Sequence, residues 1–368
     1  MPGPSPVEVL RSPDHAQVIV PCADLTEAIA FYTGKLGFRL DMIMPADSPR
    51  VAVLSGAGIA LRLEFAGPHR ASRAALILRL SGSSAWIAGF DTHELAAPDG
   101  VRILLVDDDA PITMPVAEQA FLISRTNDGA MAAGRAGMLY RDVIPGRLGG
   151  RYIASHIRIP AGGPVPDYVH YHRVRFQMIY CLHGWVRVVY EDQGEPFVMQ
   201  VGDCVLQPPA IRHRVLEASP GLEVLEISGP AEHETLREHA FDLPNARLQP
   251  ERSFSGQRFV RHVAANATWQ LCAHRGFEYR DTGIAVATGG LARIRVLRAL
   301  LLAPGAASAS RVQPGGLLFL SVLAGRLALR GSAIGAQQLD PGDACVIPSG
   351  MDYVLDATVP CEVLEVAL

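Results

Sequence analysis

His170 and His172 flank one tyrosine in the run Val169-His-Tyr-His-Arg173. Successive side chains on a β-strand point to opposite faces, so both imidazoles project the same way and form a two-point clamp for a metal ion. Gln177 follows after a gap of four residues, and His213 stands five residues beyond Pro208. An antiparallel strand returning at His213 would bring a third imidazole to the same point. Three neutral imidazoles and one amide oxygen suit a borderline divalent transition metal. Around the clamp, His156 and Tyr168 are the candidates for general acid–base work. Arg173, Arg175, Arg187 and Arg212 are candidates for binding an anionic substrate through bidentate pairing. By strand alternation Tyr171 and Arg212 point away from the clamp, and His183, just before Gly184, reads as a turn residue or one that supports a ligand from behind.

Strands that turn back on one another must position these groups, and glycines mark the turns. The first segment runs Gly163, His170, His172, Gln177, Gly184; the second runs Gly202, Pro208, His213. In residue type and spacing both segments resemble the two motifs of the cupin family. The resemblance implies a double-stranded β-helix barrel with a metal at His170, His172, Gln177 and His213. There are two departures from the pattern. Gln177 stands where the family carries Glu, which makes a bound metal more positive and leaves open whether the amide is a ligand or hydrogen-bonds to one. Ala210 replaces a turn glycine.

The barrel sequence repeats. Tyr140-Arg141-Asp142 recurs as Tyr279-Arg280-Asp281, Gly202-Asp203 as Gly342-Asp343, and Glu226 as Glu365, at an offset of about 140 residues. Two cupin barrels are therefore expected, at 138–245 and 255–368. In the second copy Arg311, Gln313, Leu318 and Tyr353 fall at the positions of His170, His172, Gln177 and His213. That barrel is expected to be metal-free, with Arg311, Gln313 and Tyr353 free to line a ligand pocket. Residues kept in both copies, Glu226 with Glu365 among them, read as serving the fold or the packing of barrel on barrel.

Ahead of the barrels, Ala16 to Val20 reads as a strand, Leu25 to Leu36 as a helix capped by Gly37, and Phe38 to Met44, Val51 to Leu54 and Ile59 to Phe65 as three strands. This βαβββ order, with Val20-Pro-Cys-Ala-Asp24-Leu25 and Leu36-Gly37-Phe38, resembles half of a glyoxalase/bleomycin-resistance domain, the vicinal-oxygen-chelate family. A shorter second module is expected over Ala74 to Ile123, giving a domain at 12–126. The family's ligand positions fall on Gln17, Arg62 and Leu104, so the resemblance implies a metal-free domain here. Glu64, His69 and His93 are the residues that could rebuild a site. The fold class expected is thus mainly β, with an α+β N-terminal domain.

Composition narrows the function. A formal net charge of -4 and the absence of a basic run argue against nucleic acid as a partner. Lys35 is the lone lysine, which gives Schiff-base chemistry a poor candidate. Scattered cysteines, six in all, without a Cys-x-x-Cys pair suggest free thiols in a reducing cytoplasm. The start Met-Pro-Gly-Pro-Ser lacks a charged stretch followed by an apolar one, so no secretory signal is expected in it, and no apolar run reaches the length that spans a membrane. The expected partner is a small molecule, with a homodimer as a prior.

The resemblance leaves three functions open. The leading one is an Fe(II)-dependent dioxygenase of a small anionic chelating molecule. A non-oxidative lyase or isomerase using Zn, Mn or Ni is the second. A metal-anchored binding or sensing protein is the third, although no helix-turn-helix pattern accompanies it.

Overall fold

The computed structural model describes residues 16–45, 48–67, 76–300, 309–357 and 359–368. The chain divides into two compact units, Met1–Pro111 and Ile112–Leu368.

In the first unit the strand Val18–Cys22 leads into the helix Leu25–Gly34 and the strands Arg39–Met44, Val51–Gly56 and Ile59–Phe65. Asp24 starts the helix by accepting from the Glu27 amide at 2.9 Å. Gly37, at φ 71°, ends it by letting the Phe38 amide reach back to the Tyr32 carbonyl at 3.0 Å. Val18–Cys22 then runs parallel to Ile59–Phe65, which the intervening helix makes possible. A second, smaller set follows: Ile77–Gly82, the short helix Ser84–Ile87, Glu94–Ala96 and Arg102–Asp107. Both sets share one core, in which Tyr32, Leu54 and Leu61 pack with Leu80 and Ile103. The Tyr32 hydroxyl also donates to Asp99 Oδ1 at 3.4 Å.

The second set stops at Asp107, short of the expected Ile123. The strand Leu122–Ser124 belongs to the other unit, where it pairs with Ala344–Ile347. Of the positions weighed for a metal here, Gln17 and His93 are exposed, Arg62 Nε donates to Glu64 Oε1 at 2.6 Å, and His69 lies outside the described residues.

The second unit contains two β-sandwiches. In the first, a seven-stranded sheet faces a six-stranded sheet; in the second, a seven-stranded sheet faces a four-stranded one. Period-two alternation assigns each strand's two faces. On Phe176–His183, Phe176, Met178 and Tyr180 point out of the first sandwich, while Cys181 points into it. The outward residues meet Val296, Phe319 and Val366 of the second sandwich in one shared core. The two seven-stranded sheets therefore pack back to back, and each sandwich keeps its own interior.

Each seven-stranded sheet is completed by a strand from outside its own sequence block. Leu122–Ser124, which precedes the first sandwich, pairs with Ala344–Ile347 of the second. Val260–His262, inside the block 255–368 expected for the second, pairs instead with Cys204–Leu206 of the first. A buried aspartate secures each loan. Asp203 Oδ1 accepts from the Ala264 amide, and Asp343 Oδ1 from the Thr126 amide, both at 2.8 Å. The glycine before each aspartate has positive φ, 89° at Gly202 and 84° at Gly342. A Cβ there would approach Ala264 Cβ to 3.0 Å and Thr126 Oγ1 to 2.5 Å. The repeated Gly-Asp pair is thus the seat of the exchanged strand.

Candidate metal centre

His170, on strand His170–His172, lies directly opposite His213, the first residue of strand His213–Ala218. Opposed residues of an antiparallel pair share a face, so both rings enter the same space. His172, two positions along, joins them. The ring centroids are 4.3 Å apart for His170 and His213 and 5.2 Å for each pair that includes His172. One nitrogen from each ring lies within 4.8 Å of the others. His170 and His213 are 1% and 5% exposed; His172 is half-buried.

Each ring is oriented through Nδ1. The partners are the Tyr168 carbonyl at 2.8 Å for His170, the Ile211 carbonyl at 3.0 Å for His213, and Thr235 Oγ1 at 2.9 Å for His172. A carbonyl oxygen can only accept, so His170 and His213 carry their proton on Nδ1 and their lone pair on Nε2. Metal-binding imidazoles are commonly prepared in this way. Backbone turns hold these partners in place. Ala210 sits at φ 60°, the conformation that favours glycine, and its amide donates to the His172 carbonyl at 3.1 Å. Asp167 Oδ2 accepts from the Val215 amide at 3.0 Å, while Oδ1 stands 3.7 Å from His170 Nδ1. The donor set and its fixed tautomers fit a divalent transition metal bound through Nε2.

The three rings line a cavity of about 400 Å³ inside the first sandwich. Its walls are largely apolar, with Ile157, Ile179, Val188, Met199 and Val224 prominent. The polar lining consists of the three histidines with Ser155, Gln207, Glu226, His233 and Thr235, together with Tyr140 and Tyr190. Among the described residues that line it there is no arginine or lysine. The expected anion-binding arginines are engaged elsewhere or exposed. Arg212 pairs with Glu238 at 2.8 Å and covers the Tyr171 ring, Arg173 reaches Glu234 at 3.3 Å, and Arg175 and Arg187 are exposed.

The structure separates the two acid–base candidates from the cavity. On strand Ile153–Ile159 the odd-numbered residues Ile153, Ser155, Ile157 and Ile159 line it, so alternation sends His156 to the other face. There its Nε2 lies 3.0 Å from Glu223 Oε2, and burial lowers its pKa against the raising effect of Glu223. The Tyr168 ring lies beneath the Arg237 guanidinium at 4.6 Å and packs edge-on against the His170 ring at 5.8 Å, while its carbonyl meets His170 Nδ1; its ring is not part of the cavity lining. Gln177 is buried on the inward face of its strand, opposite Ser228, but it is not part of the cavity wall; its Nε2 has no hydrogen-bond partner. His183 is exposed at the turn, its Nδ1 3.0 Å from the Gly221 carbonyl.

Among the lining residues that the sequence reading did not assign to a site, four stand out. Glu226 follows Leu222 and Val224 on the inward face of strand Leu222–Gly229, and accepts from Ser228 Oγ at 3.2 Å. The period-two pattern was the signal that could have found it. Gln207 is 1% exposed, and neither of its amide atoms has a partner. A ligand in the cavity would satisfy it. Tyr190 stacks on His213 with centroids 5.6 Å apart. Burial, and then the nearby Glu226 carboxylate, push its hydroxyl well above the ordinary range, so it remains protonated. His233 places its ring 5.4 Å from that of His172.

The first half of this unit thus combines a β-sandwich with a three-histidine group that could hold a metal ion. In agreement, residues 155–227 match the family model for the cupin domain. Among solved structures the chain is similar to oxalate decarboxylase of Bacillus subtilis. A variant with four consecutive residues replaced is 14% identical, with a TM-score of 0.49 over 71% of this chain and 80% of that one. The form determined at pH 4.6 is 15% identical, with a TM-score of 0.48 over 71% and 78%. A further structure of that protein, determined in a study of its Mn(II) centres, gives 15% and 0.48 over 71% and 80%. The comparison with curated proteins finds no match.

Proposed function

We propose that the first sandwich is a metal-dependent enzyme site for a small organic molecule with a chelating, oxygen-bearing head and a largely apolar body. The observation that carries this reading is three imidazoles, with Nδ1 already engaged, converging in an otherwise mostly apolar cavity of about 400 Å³. His170, His172 and His213 would hold the metal. When bound, it would supply the positive charge that acidifies or polarises a coordinated oxygen. An all-imidazole set leaves that charge uncompensated, so the head group it favours is an anion or one that readily loses a proton.

The chain's own residues supply the rest. Glu226 is placed to take the proton from the head group, steadied by the Ser228 hydroxyl. Gln207 offers both a donor and an acceptor to orient the substrate. Ile157, Ile179 and Val188 exclude water along the apolar body. The neutral donor set favours an Fe(II)-dependent dioxygenase. A second reading, a lyase or isomerase using Zn, Mn or Ni, is favoured by Glu226, since proton abstraction beside a polarised carbonyl needs no oxygen.

Elemental analysis of freshly purified protein beside the His170→Ala/His172→Ala and Glu226→Gln variants tests the site. We expect near-stoichiometric metal in the wild type and in Glu226→Gln, lost from the double-histidine variant. Iron with oxygen uptake on catechols or diketones selects the dioxygenase; another metal with oxygen-independent turnover selects the lyase or isomerase. Glu226→Gln should then slow turnover by about 10²-fold or more with its metal retained. Bound metal with ligand binding but no turnover would select a metal-anchored binding protein, and metal-free wild type would overturn the site itself.

A further inference from the structure

The second sandwich has its own cavity, of about 470 Å³, at the place corresponding to the metal centre of the first. Strand register makes the correspondence explicit. Arg311 lies opposite Tyr353 as His170 lies opposite His213, and Arg295 lies opposite Glu365 as Ser155 lies opposite Glu226. Arg293, opposite Ala367, takes the place of Ile153, opposite Ser228. The second copy has therefore exchanged two imidazoles and two uncharged residues of the first for three guanidiniums and a phenol. Where the first copy gathers metal ligands, the second gathers fixed positive charge.

Opposing charges do not cancel it. Arg295 Nε donates to Asp281 Oδ2 at 3.2 Å, and Arg293 Nε stands 3.8 Å from Glu365 Oε1. Among the described residues no carboxylate is within ion-pair reach of Arg311. Three guanidiniums thus meet one carboxylate in the cavity lining, Glu365, whose pKa burial raises, while Asp281 lies outside the lining, so the cavity keeps a net positive charge. Gln313 and Tyr353, both 5% exposed, add hydrogen-bonding groups. Burial, with Arg311 and Arg293 nearby, pushes His274 down to about 4, so at neutral pH its ring adds hydrogen bonding without charge. Burial also raises the Cys272 thiol, which makes it a wall rather than a nucleophile. Leu291, Val312 and Leu318 supply an apolar side.

We propose that this second cavity binds a small monocarboxylate, its carboxylate held by Arg311 and Arg293 and its apolar body set against Leu291, Val312 and Leu318. The planar guanidinium fork matches a carboxylate in geometry. The net positive charge suits an anion, and the apolar side suits the organic body of a carboxylate better than inorganic phosphate. The proposal does not depend on the reaction of the first cavity.

Calorimetric titration of the full chain with benzoate, propionate and inorganic phosphate tests it. Benzoate or propionate should bind saturably at one site per chain. Binding should survive His170→Ala/His172→Ala and weaken about tenfold or more in both Arg311→Gln and Arg293→Gln. Arg311 is exposed, so Arg311→Gln is expected to leave the thermal unfolding midpoint unchanged, which separates lost binding from lost fold. Binding of phosphate in preference to both carboxylates, loss of binding in the double-histidine variant, unchanged affinity in Arg311→Gln, or no saturable binding of either carboxylate would each overturn the proposal.

Discussion

At the scale of single residues, the two cavities show how one scaffold prepares opposite electrostatics. In the first, rings are oriented through Nδ1; in the second, an imidazole is kept neutral by burial and by cationic neighbours. His274 makes the second case measurable. Its ordinary pKa of 6.5 falls to about 4 in the folded chain. Between those values the unfolded chain binds a proton that the folded chain does not, so stability falls as pH drops through the window from 6.5 to 4 and the loss levels off below it. The effect is at most on the order of 3 kcal/mol. Chemical denaturation at pH 7 and pH 4.5 should show a smaller loss on acidification for His274→Gln than for the wild type. At this same scale the histidine clamp was legible in the sequence because type and spacing both spoke for it. Glu226 was not. Its recurrence as Glu365 was read as a sign of structure, whereas both glutamates line cavities. His156 was misplaced for a simpler reason, since strand alternation through Ser155 and Ile157 already turned it away.

At the scale of elements, the repeated Gly-Asp pair does work that spacing alone could not reveal. Asp343 accepts from the Thr126 and Asp340 amides at 2.8 and 3.0 Å and from Arg125 Nη1 at 2.9 Å; Asp203 accepts from the Ala264 and Gln200 amides at 2.8 and 2.9 Å. In Asp203 one oxygen binds within its own turn and the other the exchanged segment; in Asp343 Oδ1 binds the exchanged segment while Oδ2 binds both. Asp203→Asn and Asp343→Asn should each cost about 1–3 kcal/mol in equilibrium unfolding, because an amide NH₂ cannot accept the bonds that the second oxygen accepts. A substitution that left stability unchanged at both sites would mean that the exchanged strands are held by their ladders alone. The βαβββ order of the first unit was legible from periodicity, since each strand is bounded by turn residues close in sequence. The true partner of Leu122–Ser124 was not. A three-residue strand carries too little pattern to announce a mate more than 200 residues away.

At the scale of the molecule, the second unit has a shared core between its back-to-back sheets, and each sheet is finished by the other half's leading strand. The halves are therefore coupled twice, by buried area and by strand pairing. Residues 112–368 should unfold in one calorimetric transition. The block 138–245 alone lacks Val260–His262 and the facing sheet, and should show no cooperative transition; a sharp one would refute the coupling. Among the described residues no helix is long and apolar enough to cross a membrane, and all six cysteines are unbridged. No covalent tie thus joins the halves beyond the chain itself.

The crossed strands also bear on descent. A single-barrel ancestor that lent its leading strand to a second copy would have been a symmetric dimer with two equal centres. Joining the copies end to end would preserve every inter-copy contact while releasing one centre from selection. The three guanidiniums of the second cavity would then be what that freed half acquired.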